Sequence, residues 1–379
     1  MFNNHIFKMV LWFLIFILIL PSIQNGGVNE ISPDHEITPV QIENESDLRV
    51  STEPIQDPAQ EPSSGIRGGG NSRAQGLYEK ASGGLPAGSP SGGDSGWTGI
   101  DFGDFNGDGL EDLVAVGRKG NGPEPYVSNG DGTWTYSRSG ITASWSGRSD
   151  LRLVDINQDN KLDIVTSDSS VWLGDGTGSW TEATQPSFSG EDVAVGDFNN
   201  DNNLDLAIIG HLSGGIQAFY GDGKGNWVGT NASNGLPTSS GGHKITFADV
   251  NNDDNLDIIT TYWYDQSVWL GDGKGNWTPS VQGMTIETQF WGVAVGDMNH
   301  DENIDVALSV FHSNSNTNGI CLYQGDGTGK WTNASSGLPT SGTFGDIEMA
   351  DMNNDGHLDI VAGVNAFGSA PGSVNIWYG

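Results

Sequence analysis

A nine-residue segment, Asp351-Met352-Asn353-Asn354-Asp355-Gly356-His357-Leu358-Asp359, places side-chain oxygens at its first, third, fifth and ninth positions. The same grammar recurs five more times upstream, beginning at Asp104, Asp155, Asp197, Asp249 and Asp297. The six copies start 42 to 54 residues apart. A period in that range marks a repeat architecture, in which each unit buries its apolar face only against its neighbours. The folded part of this chain is therefore modular.

Each repeat follows one script. A short apolar strand such as Val193-Ala194-Val195-Gly196 runs into the acidic loop, and a second strand, such as Leu204 to Ile209, leaves it. A third, such as Val268-Trp269-Leu270, ends in a Gly-Asp-Gly turn. The fourth begins at a tryptophan: Trp134, Trp180, Trp227, Trp277 or Trp331. The Gly-Asp-Gly sequence supplies positive backbone dihedrals at low steric cost and suits a hairpin, and the recurrent tryptophan suits packing between units. Four antiparallel strands per repeat define a propeller blade. The expected fold is all-β, a six-bladed β-propeller, with seven blades as the alternative.

The last repeat stops at Ile376-Trp377-Tyr378-Gly379, ahead of a Gly-Asp-Gly turn and tryptophan strand. Tyr78-Glu-Lys-Ala-Ser-Gly-Gly-Leu-Pro86 matches Trp331-Thr-Asn-Ala-Ser-Ser-Gly-Leu-Pro339 in spacing and nearly in letters. Residues 76–93 are thus expected to supply the outer strand of the blade begun at Asp351. Pairing the N- and C-terminal segments would close the ring and remove an exposed sheet edge.

Ahead of the repeats, residues 1–24 contain Lys8 and an unbroken apolar run from Val10 to Leu20. The run suits a signal-peptide core, or an N-terminal membrane anchor if it is not cleaved. Residues 25–75 are rich in acidic residues, Pro, Ser and Gly, a composition that cannot bury enough surface to offset the entropy of ordering. They read as a flexible acidic linker, leaving 76–379 as the folded domain.

The formal net charge is −33, from 48 acidic against 15 basic residues. Such a field repels nucleic acid and anionic membrane surfaces, and leaves neutral glycans, cationic partners and metal ions as candidates. With a single cysteine, Cys321, no intrachain disulfide forms, so bound metal is the expected source of extra stability.

The loop residues in question are Asp104, Asn106, Asp108 and Asp112; Asp155, Asn157, Asp159 and Asp163; and Asp197, Asn199, Asp201 and Asp205. The other three loops offer Asp249, Asn251, Asp253 and Asp257; Asp297, Asn299, Asp301 and Asp305; and Asp351, Asn353, Asp355 and Asp359. Calcium takes six to eight oxygens in a flexible cage, which alternate side-chain oxygens and the position 7 carbonyl can build. Magnesium demands stricter octahedral geometry, and zinc prefers His or Cys, which these positions lack. His300 and His357 sit at positions 4 and 7, where side chains point away from an ion. Position 6 requires a sharp turn that Gly109 and Gly356 meet most easily and Glu302 least. About six calcium ions per chain are expected, and they would cut the net charge substantially.

These loops resemble the FG-GAP/VCBS repeat family, whose best-known members are the integrin alpha-chain propellers. In that family the matching positions 1, 3, 5 and 9 bind calcium, which the resemblance carries over to the four residues named in each loop. Two departures stand out: position 3 is Asn throughout, where the family also uses Asp, and six loops are visible where seven blades are common. An EF-hand is excluded by the spacing and by the flanking strands.

Strand alternation places the acidic loops and the Gly-Asp-Gly turns on one face of the disc. The opposite face then carries the irregular connections, with Trp145, His211, Tyr262, Trp263, Trp291, His312 and Phe344 as candidate ligand-binding residues. Clustered aromatics can stack on sugars or anchor a protein, or else cap the blades and the central channel. No nucleophile elbow, phosphate loop or His-Glu-x-x-His run is present, so an enzyme is not expected. The function expected is an exported, secreted or cell-surface binding or adhesion module for a glycan or an extracellular protein, with calcium structural. It touches a membrane only through an uncleaved N-terminal anchor. The alternatives are a propeller-type polysaccharide lyase or hydrolase, with Arg118, Lys119, Arg138, Arg148 and Arg152 as its only basic cluster, and a structural surface-layer component. Asn231, Asn276 and Asn333 lie in Asn-x-Ser/Thr sequons.

Overall fold

A computed structural model describes residues 83–85, 97–117, 119–120, 122–142, 145–146, 150–183, 188, 190–210, 214–228, 232–239, 241–261, 267–280, 282–284, 290–310, 319–364 and 373–379. The expected leader and linker, 1–24 and 25–75, and most of residues 76–93 lie outside them.

Six sheets run in sequence order around the ring, and no helix is found among the described residues. The first blade runs from inner to outer strand as Trp97–Gly103, Asp112–Gly117, Glu124–Ser128 and Trp134–Tyr136. The second uses Leu151–Val154, Asp163–Thr166, Val171–Gly174 and Trp180–Ala183, and the third Asp192–Gly196, Asp205–Ile209, Ile216–Gly221 and Trp227–Val228. The fourth follows with Ile245–Ala248, Asp257–Thr260, Val268–Gly271 and Trp277–Pro279, and the fifth with Phe290–Gly296, Asp305–Val310, Ile320–Gly325 and Trp331–Asn333. The sixth has Phe344–Ala350, Asp359–Val364 and Ser373–Trp377. All pairings within blades are antiparallel, as the short apolar strands and tight turns require.

The hydrophobic core is divided among the seams between blades. Leu151 and Leu153 of the second blade pack with Val114 and Val116 of the first, while Ala194 and Ala207 of the third pack with Ile245 and Ile258 of the fourth. The outer tryptophans belong to these seams as expected: Trp180, Trp277 and Trp331 are buried, and Trp277 Nε1 donates to Ala232 O at 2.7 Å. Stability is thus built from neighbour-to-neighbour interfaces, as in other repeat proteins.

Position 2 of the first four loops joins this packing. Phe105 stands 5.2 Å from Trp180, ring centre to ring centre, and Phe198 stands 5.3 Å from Trp277. Ile156 shares a core cluster with Trp227, and Val250 with Trp331, so each of the first four loops is pinned by its own apolar residue to the outer strand of the next blade. The pattern accounts for an apolar residue at position 2 in all six loops.

At the ring junction, Trp134 N donates to Gly83 O at 2.7 Å, and Gly83 forms a parallel bridge with Thr133. The equivalent bonds elsewhere are Trp180 N to Ser139 O, Trp277 N to Asn234 O and Trp331 N to Gln282 O, at 2.8–2.9 Å. In those three cases the acceptor follows the outer strand of the preceding blade. Gly83 occupies the same place relative to the first blade, which is where the sequence match of Tyr78 to Trp331 puts it. The neighbouring Gly84 has φ 90°, and a Cβ there would lie 2.0 Å from Trp134 O, so only glycine fits.

Candidate functional site: acidic loops and the axial charge cluster

The six loops share one hydrogen-bond wiring. At position 1, Asp197 Oδ1 accepts from Asp201 N at 3.1 Å and Oδ2 from Asn202 N at 2.8 Å. At position 3, Asn199 Oδ1 accepts from Asp201 N at 2.9 Å, and at position 5, Asp201 Oδ1 accepts from Asn203 N at 2.7 Å. The opening segment repeats this with Asp351, Asn353 and Asp355, to within a few tenths of an ångström. The side chains at 1, 3 and 5 thus curl the backbone around themselves in successive Asx turns.

That curl needs left-handed backbone at two positions. Position 6 has φ 63–89°, at Asn160, Asn202, Asp254, Glu302, Gly109 and Gly356, including the Glu302 that fits it least well. Position 4 is also left-handed, with φ 56–77° at Gln158, Asn200, Asn252, His300, Asn354 and Gly107. The second requirement is a finding of the structure; the Asn and Gly at four of these six positions are the residue types that tolerate it.

Position 9 behaves differently. Asp112, Asp163, Asp205, Asp257, Asp305 and Asp359 are wholly buried. Asp205 Oδ2 accepts from Phe198 N of its own loop at 3.1 Å, and Oδ1 from Gly221 N at the end of the third strand at 2.9 Å. Asp257 makes the same two bonds with Val250 N and Gly271 N, and Asp359 with Met352 N and Gly379 N. Position 9 therefore ties the loop to the blade's third strand. Burial, reinforced by the charges of Asp201 and Asp197, pushes the Asp205 carboxyl up to about 7 despite the Gly221 N–H. Asp257 is raised to about 7 and Asp163 to about 6, again chiefly by burial.

The donor set of each loop is all oxygen, which is what a hard cation requires. As they stand, the oxygens are turned toward backbone N–H groups. Among the described residues no three carboxylate, imidazole or thiol side chains converge to hold an ion.

Adjacent loops touch through positions 4 and 7. Asn200 Nδ2 donates to Asn255 Oδ1 at 2.8 Å, and Asn252 Nδ2 donates to Asn303 Oδ1 at 2.8 Å. Gln158 Nε2 reaches Asn203 Oδ1 at 3.3 Å, and His300 Nε2 lies 3.1 Å from His357 Nδ1. Side chains that point away from their own loop thus link it to the next.

A second cluster lies on the axis, built from residues five or three positions before five of the six loops. Lys244 Nζ of the fourth blade lies 3.0 Å from Asp150 Oδ2 of the second and 3.5 Å from Asp346 Oδ2 of the sixth. Arg152 reaches Asp192 Oδ1 at 3.1 Å and Asp150 Oδ1 at 3.4 Å. Asp101 Oδ2 accepts from Leu153 N, and Asp192 Oδ2 from Ile245 N. Burial opposes the charged form of Asp150, but Lys244 and Arg152 outweigh it and hold the carboxyl well below the usual range. Burial pushes Asp192 up to about 7, Asp101 to about 6 and Glu348 to about 8, the last helped by the Asp346 charge. Two cations thus face five carboxylates, and proton uptake by the raised ones limits the excess charge.

Beside this cluster His243 Nδ1 lies 3.0 Å from Glu191 Oε1, and its ring is 4.5 Å from that of Trp291. Trp291 starts an inner strand and is half-buried, at the end remote from the acidic loops. Phe344 differs from the sequence expectation: it is 4% exposed and its ring packs edge-on at 5.7 Å against Trp377. It closes the sixth blade, because its strand begins with a core-facing residue. For Trp145 the backbone is described, in a short ladder with Lys119–Gly120. His211, Tyr262, Trp263 and His312 lie outside the described residues. Of the basic residues considered for an enzyme, Arg152 is committed to Asp192 and Asp150. The axial cluster itself was not singled out from sequence; the signal was a charged residue five places before the loop in the second, third, fourth and sixth repeats.

Six radial antiparallel sheets, each with an acidic, all-oxygen loop between its first two strands, define a six-bladed β-propeller. Residues 104–166, 197–260 and 308–362 match the family model described as FG-GAP-like repeat, so the chain carries FG-GAP-like repeats in these three stretches. No curated protein matches it in sequence. Among solved structures it is similar to an Agrocybe aegerita lectin solved for recognition of non-reducing terminal N-acetylglucosamine, at TM-score 0.46 and 16% identity over 73% of this chain and 79% of that one. The V. cholerae biofilm matrix protein Bap1 gives 0.40 and 15% over 64% and 40%, and an Aleuria aurantia lectin with alpha-methyl-L-fucoside gives 0.39 and 12% over 73% and 93%. These likenesses concern the course of the chain only.

Proposed function

We propose that this chain is an exported, calcium-stabilised binding module that recognises a glycan or an extracellular protein at the end of the propeller opposite its acidic loops. The observation that carries the reading is the division of labour between the two ends. One end bears six identically wired all-oxygen loops, and the other bears the axial charge cluster beside Trp291 and His243. Calcium is a structural clamp in this account. An ion draws together oxygens at positions 1, 3 and 5, relieves the repulsion felt by the buried position 9 carboxylate, and so favours the folded state. Recognition falls to the opposite end, where a half-buried indole and a mixed-charge mouth offer stacking and polar contacts.

The test has two arms. Calorimetric titration of the chelated protein should find about six calcium ions per chain, with a large rise in melting temperature; no shift on chelation sinks the clamp. A glycan array and a pull-down from extracellular material, run with the natural protein and Trp291→Ala, should show a ligand that the variant loses. Retention of every ligand by that variant would move recognition elsewhere.

A further inference from the structure

The pairs between loops are amide to amide in three seams and imidazole to imidazole in the fourth. His300 and His357 are both exposed, their ring centres 4.9 Å apart and their planes inclined at 67°. The Nε2 of one faces the Nδ1 of the other at 3.1 Å. Neither ring is loosely held at its base. His300 sits in left-handed backbone (φ 61°), inside the Asp297 turn, and His357 N donates to Asp355 Oδ1 at 2.8 Å.

Metal–imidazole bonds of about 2.0–2.1 Å put two nitrogens in cis positions roughly 3 Å apart, the separation found here. We propose that His300 and His357 form a two-imidazole site for a late first-row divalent cation, of the Cu2+, Ni2+ or Zn2+ class, that staples the fifth blade to the sixth. Donor chemistry separates this site from the loops beside it. Imidazole nitrogen suits copper, nickel and zinc, whereas the all-oxygen loops suit hard calcium. The protein's negative field raises the local concentration of any divalent cation at its surface. Both rings bind through the nitrogen that now faces its partner, each keeps a proton on the other nitrogen, and water completes the coordination. The inference is independent of the calcium reading, because both histidines bind through ring nitrogens, whereas the loops use side-chain oxygens and, at His357, only the backbone carbonyl.

The fold supplies its own control. Replacing both residues, His300→Asn with His357→Asn, recreates the amide pair that joins Asn252 to Asn303 in the neighbouring seam. The experiment titrates Cu2+ into the full chain in excess calcium, with calorimetry and electron paramagnetic resonance as readouts. The natural protein should bind one more copper equivalent than the double variant, with coupling to two nitrogens, and its melting temperature should rise with copper. Single substitution of either histidine should weaken that equivalent by tenfold or more. The double variant should keep the natural melting temperature without copper, which separates lost coordination from lost folding. Equal copper binding by natural and double-variant protein overturns the site, as does coupling to a single nitrogen.

Discussion

Lys244 Nζ stands 3.0 Å from Asp150 Oδ2, although 94 residues and an intervening blade separate them in the chain. The contact spans the axis, so an ammonium from the fourth blade neutralises a buried carboxylate of the second. Replacing it, Lys244→Met, keeps most of the side-chain volume and leaves Asp150 with Arg152 as its only close cation. Breaking such a pair from one side costs about 3 kcal/mol. Urea denaturation should show that loss, and Asp150→Asn in the same background should recover part of it. A Lys244→Met protein as stable as the natural one would mean the pair is solvated.

The pH dependence follows from the same cluster, whose facing groups are Asp101, Asp150, Arg152, Asp192, Lys244, Asp346 and Glu348. Asp101, Asp192 and Glu348 have folded values raised to about 6, 7 and 8, above the roughly 4 of an unfolded carboxyl. The folded state therefore binds more protons than the unfolded one across that interval. Their contribution is full at acid pH and is lost as pH rises from about 4 to about 8. Asp150, held low, works in the opposite sense only below about 4. Between pH 5 and 8.5 the melting temperature of the calcium-free protein should fall by roughly 5 °C, and Asp192→Asn with Glu348→Gln should reduce the slope, the remainder coming from raised position 9 carboxyls such as Asp205 and Asp257. A rise across that interval would contradict the assignment.

Glu302 is the least suited of the six position 6 residues to its backbone, at φ 68°. Glutamate gains nothing in that conformation, whereas glycine adopts it freely, as at Gly109 and Gly356. Glu302→Gly should stabilise the protein by about 1 kcal/mol and tighten calcium binding at the fifth loop. Chemical denaturation with and without calcium measures both; destabilisation would show that the Glu302 side chain has a role of its own.

The closing strand can be tested by cross-linking. In the fifth blade Gly325 pairs with Trp331 and Gln324 with Thr332. Gly379 N donates to Asp359 Oδ1 just as Gly325 N donates to Asp305 Oδ1, so Gly379 occupies the Gly325 place. If Tyr78 takes the tryptophan place, Glu79 lies opposite Tyr378. In a Cys321→Ser background, Glu79→Cys with Tyr378→Cys should form a disulfide on oxidation, and Glu79→Cys with Asn375→Cys should not. The reverse result would displace residues 76–82 from that edge.

Periodic features were legible in the sequence because they are local. The acidic loops, the turns at Asp131, Asp175, Asp222, Asp272 and Asp326, and the outer tryptophans each repeat within a few residues of a fixed landmark, and the turn aspartates indeed cap their own backbones. Contacts between repeats were not legible. The partners of Arg152 and Lys244 lie 40 and 94 residues away, and the recurrence of a charge five places before a loop does not say which of these charges meet. Phe344 read as an irregular aromatic because Gly345 and Asp346 separate it from the apolar residues that lead into the loop. The link from position 4 to position 7 needed the left-handed turn at position 4, which aims that side chain sideways.

Since Phe198 is seated against Trp277, a loop and the tryptophan that secures it belong to different repeats. Gly83 shows the same offset at the ring junction, where it forms a parallel bridge with Thr133 of the first blade. The unit that recurs in the sequence is thus out of phase with the unit that folds. Anyone adding or removing a blade by recombination must cut just before an outer tryptophan. A crossover inside an acidic loop would split a clamp between two parents and mismatch both neighbouring seams.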